Sequence, residues 1–178
     1  YHMAVRNALN YFEEMGYEKI AYVGAVNTYD YKKELTMDAR YYYYRNSETM
    51  RDTFDEEWVI DSEMNPRSAY ASMIAYLDAH KNPPEAMLIS SDVLVPGVIK
   101  ALTERGFSVP KDTNMIVFNN TSISGNCNPP LDAIETYIQE IIRAAMLCIE
   151  QLRMGEIIPK KVIIPCSLVK RGSVEKKK

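Results

Sequence analysis

Histidine and cysteine are scarce in this chain of 178 residues, with two of the first and three of the second. Cys127, Cys148 and Cys166 show no CxxC and no histidine-paired spacing, which excludes the usual zinc sites and a disulfide framework. They read as packing residues in a reducing compartment. His2 stands at the amino terminus and His80 at the end of a helical segment, where a cation suits the helix dipole. Seven glycines supply neither a GxGxxG nor a P-loop, so dinucleotide and nucleoside triphosphate sites are not indicated. A net charge of -3 lacks the basic excess that nucleic acid demands, and the Lys176-Lys177-Lys178 run reads as a solvated terminus and not a phosphate-binding arm. No apolar run approaches the ~20 residues of a membrane span, and no signal peptide opens the chain. These absences point to a cytoplasmic protein with no catalytic constellation and no implied metal or cofactor, although the start at Tyr1 leaves a removed leader open.

What is present is an unbroken alternation of helix and strand. In the segment AMLISSDVLVPGVIKALTERGFSVPKD, Ala86 to Ile89 is an apolar run of strand length that stops at Ser90-Ser91-Asp92, three residues able to cap a helix. The helix that follows places Leu94, Val98, Ala101 and Leu102 on one stripe and closes at Arg105-Gly106, with Pro110 beyond. The same unit recurs. A helix from Ala4 to Met15 leads into a strand after Lys19, a helix runs roughly from Ala39 to Arg51, Trp58 to Asp61 feeds a helix from Pro66 to His80, and Asn114 to Phe118 ends at Asn119-Asn120. Buried runs without period-two alternation predict a doubly wound parallel sheet covered on both faces. Polar residues at the carboxyl ends of such strands sit where open α/β sheets bind ligands.

Taken in order, these segments resemble the LacI/GalR family of bacterial transcription repressors. Gly16 to Gly24, GYEKIAYVG, looks like that family's GH-rr-IA-iG segment, and Arg40 to Tyr44 resembles its R-x-x-G-F. Ala86 to Asp112 is similar to AIFAANDxxAxGALRALxExGLRVPxD, Ile116 to Asn120 to VVGFDD, Asn128 to Leu131 to TPPLTTV, and Ile163 to Ser173 to LPxxLVxRGST. The Phe118-Asn119-Asn120 variant is similar to galactose-type regulators of low-GC Gram-positive bacteria. The resemblance implies a periplasmic-binding-protein-like (type I) fold, of which this chain holds the carboxyl-terminal lobe plus a fragment of the other, without the helix-turn-helix headpiece. Residues 1–128 would form that lobe, 129–165 a strand-helix-strand of the absent lobe, and 166–178 a return strand with a charged tail. The helix from Tyr137 to Met154 is too apolar to be at ease in water, so such a fragment should pair or swap.

The family pattern also implies site residues. Arg40 matches an arginine that reaches sugar hydroxyls, and a guanidinium offers a fixed fork of donors to them; a surface arginine paired with Asp38 or Glu34 is the alternative. Ser91 and Asp92 stand where the family has Asn-Asp, with Asp92 alternatively a helix cap. Asn119 replaces an aspartate that accepts from the sugar, or is a turn asparagine, and Met64 occupies the place of an aromatic on which sugars stack. Tyr41 to Tyr44 read mainly as helix packing. Tyr70, Val95, Pro96 and Ile123 would face a partner in a homodimer, and DNA would be bound only through the absent headpiece. Three functions follow: effector sensing and dimerisation in a sugar-responsive repressor, sugar binding for a transporter, or a small α/β enzyme. The ending LVKRGS and the reduced cysteines favour the first.

Overall fold

The computed structural model describes residues 1–155 and 161–177. In chain order the elements are α1 (His2–Glu14), β1 (Ile20–Gly24), the short strands β2 (Asn27–Tyr29) and β3 (Leu35–Met37), α2 (Ala39–Arg45), β4 (Val59–Asp61), α3 (Pro66–His80), β5 (Ala86–Ile89), α4 (Val95–Glu104), β6 (Asn114–Phe118), the one-turn α5 (Ser122–Gly125), β7 (Asp132–Glu135), α6 (Ile138–Arg153) and β8 (Ser167–Val169). Six strands make one sheet in the order β4-β1-β5-β6-β7-β8, parallel except for the last pair, and β2 and β3 form a separate antiparallel ribbon.

Alternate residues of each central strand feed two cores. Ile20, Tyr22, Leu88, Ile116 and Phe118 pack with α1 and α2 on one face, while Ala21, Val23, Met87, Ile89 and Val117 pack with α3 and α4 on the other. That double coverage is why the strands read as continuous apolar runs. Helix α3 starts as its sequence dictates, with Asn65 accepting from Ser68 N and Pro66 in the first turn. Gly97 lets α3 and α4 meet backbone to backbone, since a Cβ there would lie 2.0 Å from Pro66 O.

Helix α2 stops at Arg45 and does not reach Arg51. Asn46 Nδ2 and Ser47 Oγ bond back to the carbonyls of Tyr42 (2.8 Å) and Tyr44 (2.9 Å), competing with the helical ladder. The tail is exposed and tethered: Lys177 donates its backbone N–H to Met15 O (2.8 Å) and its Nζ to Glu85 (2.5 Å), while Lys178 lies outside the described residues.

The expected lobe boundary at residue 129 moves. Strand β7 is hydrogen-bonded to β6 in register Ile116↔Asp132 to Phe118↔Ile134, so 132–135 belongs to the sheet of this lobe, and the chain leaves it only after Glu135. The reason is burial: Leu131, Ala133 and Ile134 complete the two cores already present. The second strand expected near Ile164 is not formed at 161–166, and 156–160 lie outside the described residues. Helix α6 carries Ile138, Ile141, Ile142, Ala145, Ile149 and Leu152 on one stripe, and none of its residues is buried. No helix among the described residues is long and apolar enough to cross a membrane.

Candidate functional site

From β1 the chain turns outward to β4, whereas from β5 it turns the other way to β6. The carboxyl ends of β1 and β5 therefore flank the point where the winding reverses, and a crevice opens there in sheets of this kind. Arg40 is held at this point. Asp38 caps α2 by accepting from Arg40 N (2.8 Å) and grips the guanidinium with both oxygens, Oδ1 from Nε (2.9 Å) and Oδ2 from Nη2 (2.7 Å). Nη1 donates to Ser90 O at 2.9 Å, across the β5 end. Three of a guanidinium's five N–H groups are thus committed, which leaves one on each terminal nitrogen. The Arg40 and Asp38 side chains are only 15% and 7% exposed, so their charges meet in a partly desolvated setting. Burial pushes the Asp38 carboxyl up, but the hydrogen bonds and charge of Arg40 outweigh it and hold it below its ordinary value. Burial works against the Arg40 charge as well, and Asp38 reverses the balance. The alternative pairing with Asp38 is therefore real, and the same pairing aims the arginine; Glu34 takes no part.

Asn119 sits at the end of β6 with a φ of +86°, a left-handed conformation that asparagine tolerates better than most residues. Its Nδ2 donates to Ser91 Oγ at 3.2 Å, which joins the β5 and β6 ends. Ser91, not Asp92, caps the turn after β5, accepting weakly from Val93 N at 3.4 Å. Asp92 is 4% exposed and receives both the backbone N–H and the hydroxyl of Thr121 on Oδ2, so it clamps α5 to the end of β5. Met64 is 37% exposed and its Sδ lies 3.7 Å from Ser90 Oγ, an apolar wall beside the Arg40 anchor. Of the tyrosine run, Tyr41 and Tyr44 are buried against Tyr22, and only Tyr42 and Tyr43 reach the surface.

Among the residues expected at a dimer surface, Pro96 and Ile123 are exposed and Tyr70 is half-buried, with its hydroxyl on Glu104 (2.6 Å). Val95 is a correction: its side chain is fully buried between α4 and the sheet and can offer nothing to a partner. No group of metal-ligating side chains occurs among the described residues. The cysteines are free and partly buried.

The sequence reading missed two parts of this end of the sheet. One is a polar network that ties β7 to the return strand: Asn120 Nδ2 donates to Glu135 (2.6 Å), Arg171 Nη2 to Asn120 Oδ1 (2.5 Å), and Asp132 Oδ1 accepts the backbone N–H groups of Arg171, Gly172 and Ser173. Its partners are some 40 residues apart, so no local pattern announces it. The other is the β2–β3 ribbon, which borders a cavity of about 310 Å³ lined by Ala25, Asn27, Asp61, Ser62, Glu63 and Ser68. Tyr29 and Leu35 in alternation around Asp30 and Lys33 were the available hairpin signal. A larger hollow of about 460 Å³ lies at the amino ends of β5 and β6, around Glu85, Lys111 and Lys177, at the opposite end of the sheet from the crevice.

This architecture is a doubly wound, mostly parallel α/β sheet with polar side chains gathered where its winding reverses. The chain belongs to the periplasmic binding protein-like domain family, whose pattern matches residues 9–174. Its relatives are regulators: it is 29% identical over 174 residues to the HTH-type transcriptional regulator GalR of Streptococcus thermophilus, covering 97% of this chain and 52% of that protein. The HTH-type transcriptional repressor MelR of Bacillus subtilis (strain 168) is 28% identical over 184 residues, covering 96% and 50%. A solved structure from Bacillus cereus subsp. cytotoxis NVH 391-98, described as a LacI transcriptional regulator, superposes with a TM-score of 0.83 at 25% identity, over 99% of this chain and 61% of that one. The chain thus spans about half the length of the curated relatives it matches.

Proposed function

We propose that the chain forms one wall of the effector site of a sugar-responsive transcription repressor, performs no chemistry, and passes effector occupancy to a helix-turn-helix headpiece elsewhere in the protein. The observation that carries this reading is Arg40, locked by Asp38 and Ser90 at the reversal of the sheet with two N–H donors left over. A neutral polyol suits such a half-neutralised fork, because adjacent hydroxyls accept from both donors without a further charge to desolvate. Asn119 and Met64 supply an amide and an apolar wall at the same end of the sheet, a pairing that suits the hydroxyls and apolar face of a galactose-type sugar. Sensing works by differential affinity: a sugar that bridges two lobes favours the closed arrangement and shifts the equilibrium of the attached headpiece.

An operator-binding titration of the protein that carries both lobes and the headpiece tests this. Galactose-type sugars should change operator affinity; unchanged affinity across mono- and disaccharides would reject the reading.

The orphaned stripe of α6 supports a second part of the proposal, that this face is covered by the other lobe, and that the homodimer surface lies around Tyr70, Pro96 and Ile123. On its own the chain is expected to associate through that stripe. Light scattering at rising concentration should report a dimer or larger, and a monomer throughout would contradict the assignment.

A further inference from the structure

We propose that the crevice continues past Arg40 into a second sugar subsite, built by the β2–β3 ribbon and the end of β4, so that the effector is a disaccharide or longer glycoside. The proposal rests on the reading of the Arg40 surroundings as a sugar site, and adds to it the ring that lies outside.

The cavity of about 310 Å³ beside β4 combines two chemistries. On one side stand acceptors. Asp61 Oδ1 takes Val26 N–H (3.0 Å) and Glu63 Oε2 takes Asn65 Nδ2 (3.1 Å), so one oxygen of each carboxylate remains uncommitted at an exposed position. Beyond the cavity lining, further along the ribbon, stands an apolar surface. Asn27 lines the cavity and pairs with Met37, while Tyr29 pairs with Leu35. Directly opposed and alternate residues share one face of a ribbon, so Asn27, Tyr29, Leu35 and Met37 lie on the same face. Tyr29 is 71% and Leu35 66% exposed, an apolar area left uncovered by the described residues.

A ring with an apolar face and a rim of hydroxyl donors matches an aromatic wall beside carboxylate acceptors. An anionic ligand does not, because Asp61 and Glu63 would repel it. The ribbon is also fixed in place: Asp38 N donates to Val26 O (2.9 Å) at its base, and Asp30 Oδ1 closes its turn on Lys32 N and Glu34 N. Continuity with Arg40 comes through Met64, which follows Glu63 in the chain and lies 3.7 Å from the hydroxyl of Ser90, the residue whose carbonyl holds Arg40.

Calorimetry on the full-length, two-lobed protein tests this with glucose, galactose, ribose, cellobiose, lactose and melibiose, for the wild type and for Tyr29→Ala, Glu63→Gln and Arg40→Ala. The expected result is a disaccharide bound at least about ten-fold more tightly than its component rings. Tyr29→Ala and Glu63→Gln should each remove about ten-fold of that affinity and leave the single ring within about two-fold, and Arg40→Ala should weaken both. Tyr29 and Glu63 are exposed, so unchanged thermal unfolding of Tyr29→Ala and Glu63→Gln is expected alongside. If Arg40→Ala weakens binding while Tyr29→Ala and Glu63→Gln do not, or if single rings bind as well as disaccharides, the second subsite is wrong and the Arg40 site stands. If Arg40→Ala leaves every affinity intact, or no sugar binds, both fall.

Discussion

Replacing Arg40 by alanine in the two-lobed protein is expected to weaken sugar binding by about 2 kcal/mol or more, about thirty-fold, while operator affinity without sugar stays unchanged. The size follows from what is lost: two aimed N–H donors, charge-assisted and at a side chain only 15% exposed. A ligand shifts a two-state equilibrium only by its differential affinity, so the variant should stay on its operator at sugar concentrations that release the wild type. Release at the wild-type concentration would show that Arg40 only pairs with Asp38. The orientation of Arg40 depends on an ionised Asp38, whose folded pKa is depressed; its contribution is fully present above the unfolded carboxylate value and disappears as pH falls through the lowered folded one. At neutral pH the fork is set, and only strong acidity should loosen it.

Asp132→Ala is expected to destabilise the chain by about 3 kcal/mol or more. Asp132 is fully buried, and its Oδ1 accepts the N–H groups of Arg171 (2.7 Å), Gly172 (2.7 Å) and Ser173 (3.0 Å). Removing the carboxylate leaves three donors without that acceptor and frees the segment that closes on β7. Oδ2 has no hydrogen-bond partner among the described residues, so Asp132→Asn, which keeps an acceptor, should lose less. Denaturant midpoints of the three proteins decide it; an unchanged midpoint for Asp132→Ala would mean that the 171–173 turn is held by other contacts.

The fold was legible wherever its cause was local. Ala86 to Ile89 and Met115 to Phe118 are apolar runs buried on both faces, and Asn65-Pro66 announces α3 through its own cap. The position of Arg40 at the start of α2 and its pairing with Asp38, two residues away, were also legible. What escaped was non-local. Asp92 looks like a helix cap and is instead taken by Thr121, 29 residues on, and Val95 looks like surface because only the packing of α4 decides which side of the helix is inside. The boundary near residue 129 failed for a related reason. The sequence from Leu131 to Glu135 reads as a strand but does not say which sheet it joins, and the register with β6 settles that.

Calorimetry on this chain alone, beside the two-lobed protein, tests the central claim most directly. If the chain is one wall of a shared crevice, the isolated chain loses the hydrogen bonds of the other wall, at roughly 1 kcal/mol each, and its sugar affinity should fall by several decades. Sugar binding by the two-lobed protein and no measurable heat from the chain alone are expected. Micromolar binding by the chain alone would contradict it.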